Sequence, residues 1–427
     1  MHTKSQFSII PAVRVTKQVK PEIRLYSVEA DLAAVRILKD GKQVKKYIYA
    51  LENGLVKSAY FDLSMVCGDI VIKIEFIKDE QVVYSKDYNY QVVDTSLPST
   101  TLMDGCWISI YHWSEFEAAF FNPALKTMND EDFKDHIRHM HKVGINGVVI
   151  QNVFDSDNYC NAHTMDKDGY KGKAFYPSKL FPDKVDITAK DPIEAVLSAA
   201  DECGMHVLVG VGLYAWFDFS EDSLNWHKKV AKELFEMYGH HESFYGWYIS
   251  EEIFGALYAE WDQVPTEDYK NIGKFFREFK AFVKNLTPTK PVALAPNNIN
   301  FQNYEYEWQT ILPFIDILIP FAFARDLEHL NVLDIKRICE ECDTHMWVDM
   351  EVFQNPFPNG LIPKSCDDLI KEIRIYDDVE QIYGYQFTGM LNPPESPFNL
   401  GGEKAVDLYV KYEKYYNKFM EEQNNKK

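Results

Sequence analysis

The sequence has no long apolar run, and this absence excludes a helix of the length that crosses a bilayer. In 427 residues no apolar stretch approaches the roughly 18 residues that a membrane span needs. The first residues, MHTKSQFSIIPAVRV, also lack an apolar leader followed by a small-residue cleavage site. The sequence therefore predicts a cytoplasmic protein that does not associate with a membrane, or an exported one if a leader has been removed.

Cysteine is sparse and scattered. There are seven cysteines, an odd number, and close spacing occurs in CEEC at 339–342. That segment lacks the second Cys or His pair of a zinc site, so we expect unpaired structural thiols and no metal. Unpaired thiols suit a reducing compartment.

Positive charge is also scarce, and the balance limits the partners. The chain has 45 Lys and Arg against 65 Asp and Glu, a net charge of −20. We therefore expect neither nucleic acid nor an anionic membrane as a partner. No G-x-G-x-x-G motif follows a predicted strand, and no cofactor is expected. Aromatic residues, in contrast, make up 15% of the chain. Such rings pack cores, and they also line sites for flat, uncharged ligands such as sugars.

Residues 1–96 consist of short β segments separated by turn signals. About seven segments are rich in Val, Ile and Tyr, and several alternate apolar with polar residues. KDGK at 39–42 and KDEQ at 78–81 predict hairpin turns. The pattern predicts a small all-β, immunoglobulin-like sandwich, and DTSLPST at 94–100 predicts a linker after it.

From about residue 102, apolar strand-length runs alternate with amphipathic helix-length segments. Eight strands are expected, at 106–113, 145–153, 205–216, 243–252, 291–298, 316–324, 344–353 and 382–389. Apolar strands with crossover helices indicate a parallel sheet covered on both faces. Asn129, Asp191, Ser220 and Thr266 precede helical segments as capping residues. Residues 97–427 therefore predict a (β/α)8 TIM barrel, with a doubly wound open sheet as the alternative.

Polar residues at the carboxyl ends of the strands are the candidate site, because the active site of such a barrel lies there. Strand four ends in Glu251 and Glu252, and strand seven carries Asp349 and Glu351. Glu251 and residues at the other strand ends are the candidates for binding a sugar: His112, Trp113, Asn152, Tyr214, Trp216, Asn297, Phe323, Arg325 and Gln386. Glycoside hydrolysis needs two carboxyl groups flanking one bond, and strands four and seven can supply them. Arginine can bind a carboxylate, so Arg325 leaves open the alternative that the substrate sugar is a uronic acid.

Three motifs carry a resemblance: FYPSKLFP (175–182), FYGWYISEEI (244–253) and VDMEVF (348–353). They resemble an uncharacterised bacterial family of glycosidase-like barrels, which often carry a β-sandwich. The chain from about 102 to 420 is similar to the wider Glu–Glu superfamily of glycoside hydrolases. That resemblance implies Glu252 as the acid/base on strand four and Glu351 as the nucleophile on strand seven. The superfamily commonly has asparagine where this chain has Glu251, so we expect Asn297 or Asn152 to contact the sugar 2-hydroxyl.

The period of a strand separates the two adjacent glutamates. Neighbouring residues face opposite sides, so only one of Glu251 and Glu252 can readily face the barrel axis. The resemblance favours Glu252, and Glu251 then pairs with a neighbour or faces the helix layer. Asp349 is interpreted as facing the helices rather than supporting Glu351.

The histidines do not indicate a metal centre. His136 and His139 lie on one face of the first barrel helix, which we expect to be solvated. His240 and His241 precede strand four, at the end of the barrel away from the site, and are interpreted as structural. No H-x-H ends the first strand, and no H-E-x-x-H occurs.

Together the residues predict a glycoside hydrolase, most consistent with retention, acting on an oligo- or polysaccharide. Glu252 would donate the proton and Glu351 would form the glycosyl-enzyme intermediate. A transglycosylase would use the same pair. A carbohydrate-binding protein on a decayed barrel would keep the rings without a working pair. The residues do not select a sugar, a linkage or an oligomeric state.

Overall fold

The computed structural model of the chain describes residues 4–156, 172–181, 183–211, 218–257, 268–297, 300–323, 331–354 and 360–426. The chain divides into two compact units. The first comprises Met1–Thr100, Lys284–Lys290 and Lys418–Lys427, and the second comprises Thr101–Val283 and Pro291–Asn417. Within the described ranges, no helix is both long and apolar enough to span a membrane.

The described residues of the first unit form eight strands in two sheets. The smaller sheet has the order Ser5–Ile10, Glu22–Ser27, Val56–Tyr60. The larger has the order Arg14–Thr16, Gln81–Val93, Gly68–Lys78, Leu32–Lys39, Lys42–Ala50. Alternate residues of both sheets share one core, with Ile23 and Leu25 from the smaller sheet against Val35, Ile72 and Ile74 from the larger. The two sheets therefore pack face to face as a sandwich.

Proline accounts for the eighth strand, where the sequence predicts seven. The apolar run SIIPAVRVT at 8–16, one of the seven predicted segments, is divided at Pro11, which has no N–H with which to continue the ladder. Its first part lies in Ser5–Ile10 and pairs in the smaller sheet, whereas Arg14–Thr16 pairs in the larger one. One apolar run thus contributes to both layers.

Both predicted hairpin turns are confirmed. Asp40 and Gly41, with φ of 50° and 73°, join Leu32–Lys39 to Lys42–Ala50. Asp79 and Glu80, with φ of 48° and 64°, make the same kind of two-residue connection between Gly68–Lys78 and Gln81–Val93. Positive φ at both central residues matches the twist of the paired strands, and Asp and Gly are residues that adopt it readily.

The second unit is built around a nearly closed parallel sheet. Along the sheet the strands are His345–Met346, Ile317–Leu318, Val292–Leu294, Phe244–Ile249, His206–Gly210, Gly147–Ile150, Gly105–Ile108, Ile382–Tyr385 and Val348–Glu351. They come from eight chain segments, here named barrel strands one to eight in chain order. Strand seven comprises both His345–Met346 and Val348–Glu351, so it lies at both edges of the sheet. An open doubly wound sheet would have two different segments at its edges, and that alternative is wrong.

Helices alternate with the barrel strands. They are Asn122–Leu125, Asp130–Lys142, Pro192–Cys203, Glu221–Tyr238, Asp268–Lys284, Glu305–Ile311, Val332–Glu341, Cys366–Ile373 and Gly402–Asn424, with 3-10 turns at Phe301–Tyr304 and Leu312–Phe314. Two small hairpins pair Phe154–Ser156 with Gly172–Ala174 and Phe353–Gln354 with Ile362–Pro363. The predicted caps Asn129, Asp191 and Ser220 each accept a hydrogen bond from an N–H of the first helical turn. The fourth, Thr266, lies outside the described residues.

Aromatic rings fill the barrel interior and show which side chains point inward. The ring of Trp107 on strand one lies 5.9 Å from Tyr248 on strand four and 6.0 Å from Tyr383 on strand eight. Strands one and four are not neighbours in the sheet, so their rings meet across the barrel axis. Trp347 on strand seven stacks on Tyr383 at 4.9 Å. A Cβ on Gly105 would lie 2.1 Å from the Tyr383 ring, so glycine at this position makes room for the ring.

Candidate active site

Strands four and seven direct carboxyl groups toward the barrel axis. Tyr248 and Trp347 face the interior, and side chains alternate along a strand. Asp349 and Glu351 therefore share the inward face of strand seven, and Glu252 continues the inward face of strand four. The neighbouring Glu251 alternates to the other side and is buried.

Glu252 lies in an environment that favours its protonated form. Part of the side chain is open to solvent, and its carboxyl is hydrogen-bonded to the Asn297 side chain. Burial by the surrounding protein, followed by the negative charge of Glu117, raises the pKa of Glu252 to about 7, against the opposing effect of Asn297. The backbone N–H of Asn297 donates to the carbonyl of Ile253 at 2.8 Å, which joins the ends of strands four and five. A carboxyl group that retains its proton near neutral pH can act as a general acid.

Glu351 has a different set of neighbours. It is 4% exposed, and Nζ of Lys364 lies 3.8 Å from its Oε2. The same Nζ lies 2.6 Å from Oε2 of Glu372, and Lys364 is itself 7% exposed. The backbone N–H of Lys364 donates to the carbonyl of Val352, which fixes the lysine beside strand seven. A buried cation at this distance stabilises a carboxylate, the form in which a nucleophile reacts.

Asp349 is close enough to both glutamates to be affected by each. Burial raises its pKa well above the ordinary value, and the charges of Glu351 and then Glu252 raise it further. A backbone hydrogen bond from Tyr385 to its carboxyl acts in the opposite direction. The interpretation of Asp349 as facing the helices is wrong, because it has the same register as Trp347 and Glu351, inside the barrel. The three carboxyl groups therefore occupy one region of the barrel mouth.

A hydrogen-bond network borders these carboxyl groups. Oγ of Ser109 lies 2.7 Å from Oε1 of Gln386 and 3.0 Å from Oε1 of Gln151. The hydroxyl of Tyr385 donates to the same Gln151 oxygen at 3.1 Å. Gln386, a predicted sugar-binding residue, is fully buried and lies behind Ser109. The network holds the ends of strands one, two and eight together.

His112 links this network to a third glutamate. Its Nε2 lies 3.2 Å from the Tyr385 hydroxyl and 3.6 Å from Oε2 of Glu117, and its Nδ1 contacts the backbone of Ser114. Burial lowers the pKa of His112 to about 4, so the ring is neutral at neutral pH. Glu117 therefore lies near His112. It also lies close enough to the end of strand four to raise the pKa of Glu252.

The remaining predicted site residues are distributed as follows. Trp113 is partly exposed and stacks on His112 with the ring centres 5.8 Å apart. Phe323 is partly exposed and stacks on Phe321 at 5.0 Å. Asn152 is buried, and its amide group donates to two acceptors in its own loop at 2.9 and 2.7 Å. Tyr214, Trp216 and Arg325 lie outside the described residues.

Four residues around the carboxyl groups are missing from the set predicted from sequence: Ser109, Glu117, Lys364 and Tyr385. Ser109 and Tyr385 have the same alternation as the inward rings Trp107 and Tyr383, so strand period could have found them. Glu117 and Lys364 lie outside the barrel strands, where no period marks a side chain that turns toward the site.

One histidine differs from the prediction. His136 is buried, its Nε2 lies 3.1 Å from Oγ1 of Thr388, and its ring packs edge to face on Phe387. Burial lowers the pKa of His136 to about 3. The interpretation of His136 as a solvated residue is wrong, because helix Asp130–Lys142 turns this face onto the segment that follows strand eight. His139 is partly exposed.

Comparison with known proteins gives a family and a set of relatives. The profile of a family described as a domain of unknown function (DUF4434) matches residues 103–397. The chain is 26% identical to β-glucuronidase of Rattus norvegicus over 149 residues, 34% of this chain and 20% of the rat protein. It is also 26% identical to β-glucuronidase of Canis lupus familiaris over 153 residues, 34% of this chain and 21% of that protein. The match thus spans about a fifth of the length of these relatives.

Among solved structures, the chain is similar to a "putative alpha-L-fucosidase" from Bacteroides thetaiotaomicron. The TM-score is 0.53 at 18% identity, and the match covers 80% of this chain and 99% of that one. At this identity the similarity shows a shared fold.

Proposed function

Because the chain belongs to DUF4434, a domain family of unknown function, we propose its activity from the site: a retaining glycoside hydrolase of the Glu–Glu type. The observation that carries the proposal is the contrast between the inward glutamates of strands four and seven. Glu252 has a pKa raised to about 7, and Glu351 is buried beside Lys364. Retaining glycosidases need one protonated carboxyl group and one carboxylate on the same substrate. The partial similarity to β-glucuronidases supports the reaction class.

In the first step, Glu351 attacks the anomeric carbon while Glu252 donates its proton to the glycosidic oxygen. The bond between the anomeric carbon and that oxygen breaks, and the aglycone leaves as an alcohol. A covalent ester between the sugar and Glu351 remains, and Glu252 is now a carboxylate. The total charge of the two glutamates is unchanged by this step. Glu351 loses its negative charge when it forms the ester, and Glu252 gains one when it gives its proton to the leaving group.

In the second step, Glu252 accepts a proton from a water molecule that attacks the same carbon. The ester bond to Glu351 breaks, the sugar is released with its original configuration, and both glutamates return to their starting forms. Asn297, which is hydrogen-bonded to Glu252, is the proposed contact of the sugar 2-hydroxyl. Trp113 and Phe323, both partly exposed, are the proposed stacking surfaces for sugar faces. Residues 97–427 would form the catalytic domain, and residues 1–96 an accessory domain.

The proposal is tested with a panel of aryl glycosides that differ in sugar and in the acidity of the leaving phenol. We expect hydrolysis of at least one of the glycosides with retention of configuration. NMR of the first-formed anomer measures the configuration. Glu252→Gln should lower kcat/KM about 10²–10⁴-fold for a poorly acidic phenol. It should have a much smaller effect for dinitrophenol, which leaves without a proton.

Three results would contradict the proposal. Inversion at the anomeric carbon would remove the nucleophilic role of Glu351. An equal effect of Glu252→Gln on all leaving groups would remove the role of Glu252 as the acid. Sugar binding with no turnover across the panel would favour a carbohydrate-binding protein on a decayed barrel.

A further inference from the structure

A second cluster of ligand-type side chains lies before the start of barrel strand four. Glu194 comes from helix Pro192–Cys203, and His240 and His241 come from the loop that precedes Phe244–Ile249. One ligand atom from each of the three lies within 4.8 Å of the other two. The whole of strand four separates these histidines from Glu252, so the cluster is distinct from the proposed active site.

Two of the three ligand atoms are already at the spacing of metal ligands. Nε2 of His241, a residue 7% exposed, lies 3.0 Å from Oε2 of Glu194. Ligands bonded at about 2.0–2.1 Å around a tetrahedral zinc ion lie about 3.3 Å apart. The ring of His240 lies 4.2 Å from that of His241, and because His240 is exposed its ring can turn to complete the set.

The groups around the cluster hold its ligands in place. Nδ1 of His241 lies 2.7 Å from Oδ2 of Asp201, and the other Asp201 oxygen accepts the N–H of Ser243 at 2.6 Å. A carboxylate on one ring nitrogen of a histidine fixes its orientation and leaves the other nitrogen to the metal, as in many zinc sites. The Glu194 carboxylate is also held, because Oγ of Ser198 donates to its Oε1 at 2.9 Å.

We propose that Glu194, His240 and His241 bind one zinc ion, with water as the fourth ligand and with Asp201 orienting His241. Two imidazoles and a carboxylate are donor types that zinc binds, and the water completes its four-fold coordination. The ion would join helix Pro192–Cys203 to the loop before strand four.

The competing interpretation is an ion pair, in which a protonated His241 lies between Glu194 and Asp201 without any metal. Both interpretations use Glu194, Asp201 and His241, and they differ at His240. A zinc site needs the His240 imidazole, whereas the ion pair does not include it.

The test is zinc binding by isothermal titration calorimetry on the full chain after treatment with a chelator. His240→Ala removes a proposed ligand from an exposed position, and His141→Ala, which removes an exposed histidine elsewhere, is the matched control. We expect the wild type and His141→Ala to bind one more equivalent of zinc than His240→Ala. Zinc should also raise the Tm of the first two proteins more than that of His240→Ala.

Equal zinc stoichiometry in the wild type and His240→Ala would overturn the site and leave the ion pair. Circular dichroism without zinc tests whether His240→Ala is folded. Glu194→Gln removes a second proposed ligand and should also bind one equivalent of zinc fewer than the wild type. Asp201→Asn should keep the stoichiometry and weaken zinc binding about 10–100-fold. Unchanged affinity in that variant would remove the positioning role of Asp201.

Discussion

Glu252 follows barrel strand four and Glu351 ends strand seven, and the two glutamates differ in their charged neighbours. Near Glu252 the charged neighbour that affects its pKa is another carboxylate, Glu117. Glu351 also lies near a carboxyl group, that of Asp349, but the buried Lys364 lies beside it. A like charge disfavours the ionised form of a carboxyl group and an opposite charge favours it. The comparison teaches that neighbours from loops, rather than the strand ends themselves, distinguish the proposed proton donor from the proposed nucleophile.

The largest effect is expected from removing the carboxylate of strand seven. Glu351→Ala should lower kcat/KM more than about 10⁴-fold even for dinitrophenyl glycosides, because no leaving group can replace the nucleophile. Added azide should restore turnover and give a glycosyl azide of inverted configuration, detected by NMR. Exposed Glu421→Ala is the control and should keep full activity. A product of retained configuration from Glu351→Ala would place the nucleophile elsewhere.

The next largest effect concerns the lysine beside strand seven. Lys364→Met leaves the buried Glu351 and the partly buried Glu372 without their cation and should lower the free energy of unfolding by about 3–5 kcal/mol. Urea denaturation at pH 7 measures it. Adding Glu372→Gln should recover part of the loss, because one of the two carboxylates that lost the cation is then neutral. Lys371→Met, whose side chain is 75% exposed, should change stability by less than about 0.5 kcal/mol. Equal effects of the two lysines would show that Glu351 does not depend on a buried cation.

A moderate effect is expected on stability when the carboxyl of strand four is made permanently neutral. The folded pKa of Glu252 is about 7 against an ordinary value of 4.5, so its ionisation opposes folding as pH rises from 4.5 to 7. Above pH 7 the cost is about 3 kcal/mol. Glu252→Gln should therefore be more stable than the wild type at pH 8, with no such advantage at pH 4. Thermal unfolding at both values tests this, and a Tm difference independent of pH would contradict the raised pKa.

The smallest effects are shifts of the pH profile in opposite directions. Activity should fall as pH rises through the pKa of Glu252, because the proton donor is lost. Glu117→Gln removes a like charge, lowers that pKa and should move the basic limb to lower pH, by up to about one unit. Asn297→Ala removes a hydrogen bond to the charged form and should move the limb to higher pH. The measurement is kcat/KM against pH, and shifts of the same sign would contradict these two assignments.

Much of the fold was predictable because it depends on local patterns. Apolar runs separated by amphipathic segments predicted the eight strands of the second unit, and polar residues before each apolar pattern predicted the helix caps. The predicted strands were too long. The first was predicted at 106–113, and the strand in the structure is Gly105–Ile108. The remainder of that run lies beyond the strand, where Ser109 and His112 border the candidate site.

The site was predictable where it follows strand period and not where it depends on loops or register. Alternation and family resemblance together selected Glu252 and Glu351, and their roles remain predictions. Glu117 and Lys364 reach the site from outside the barrel strands, and their positions depend on how loops fold back. The inward direction of Asp349 follows from the same strand period, because Asp349 lies two residues before Glu351, and the interpretation from the sequence did not apply that period to it.

The position of strand seven at both edges of the sheet has a consequence for synthesis of the chain. A ribosome releases strand four, with Glu252, about a hundred residues before Glu351. Strand seven emerges before strand eight, Ile382–Tyr385, which pairs with strands one and seven and so closes the sheet. The carboxyl groups of strand seven are therefore in the chain before the barrel can close. A nascent or truncated chain that ends before residue 345 would hold Glu252, the proposed proton donor, without the carboxyl groups of strand seven.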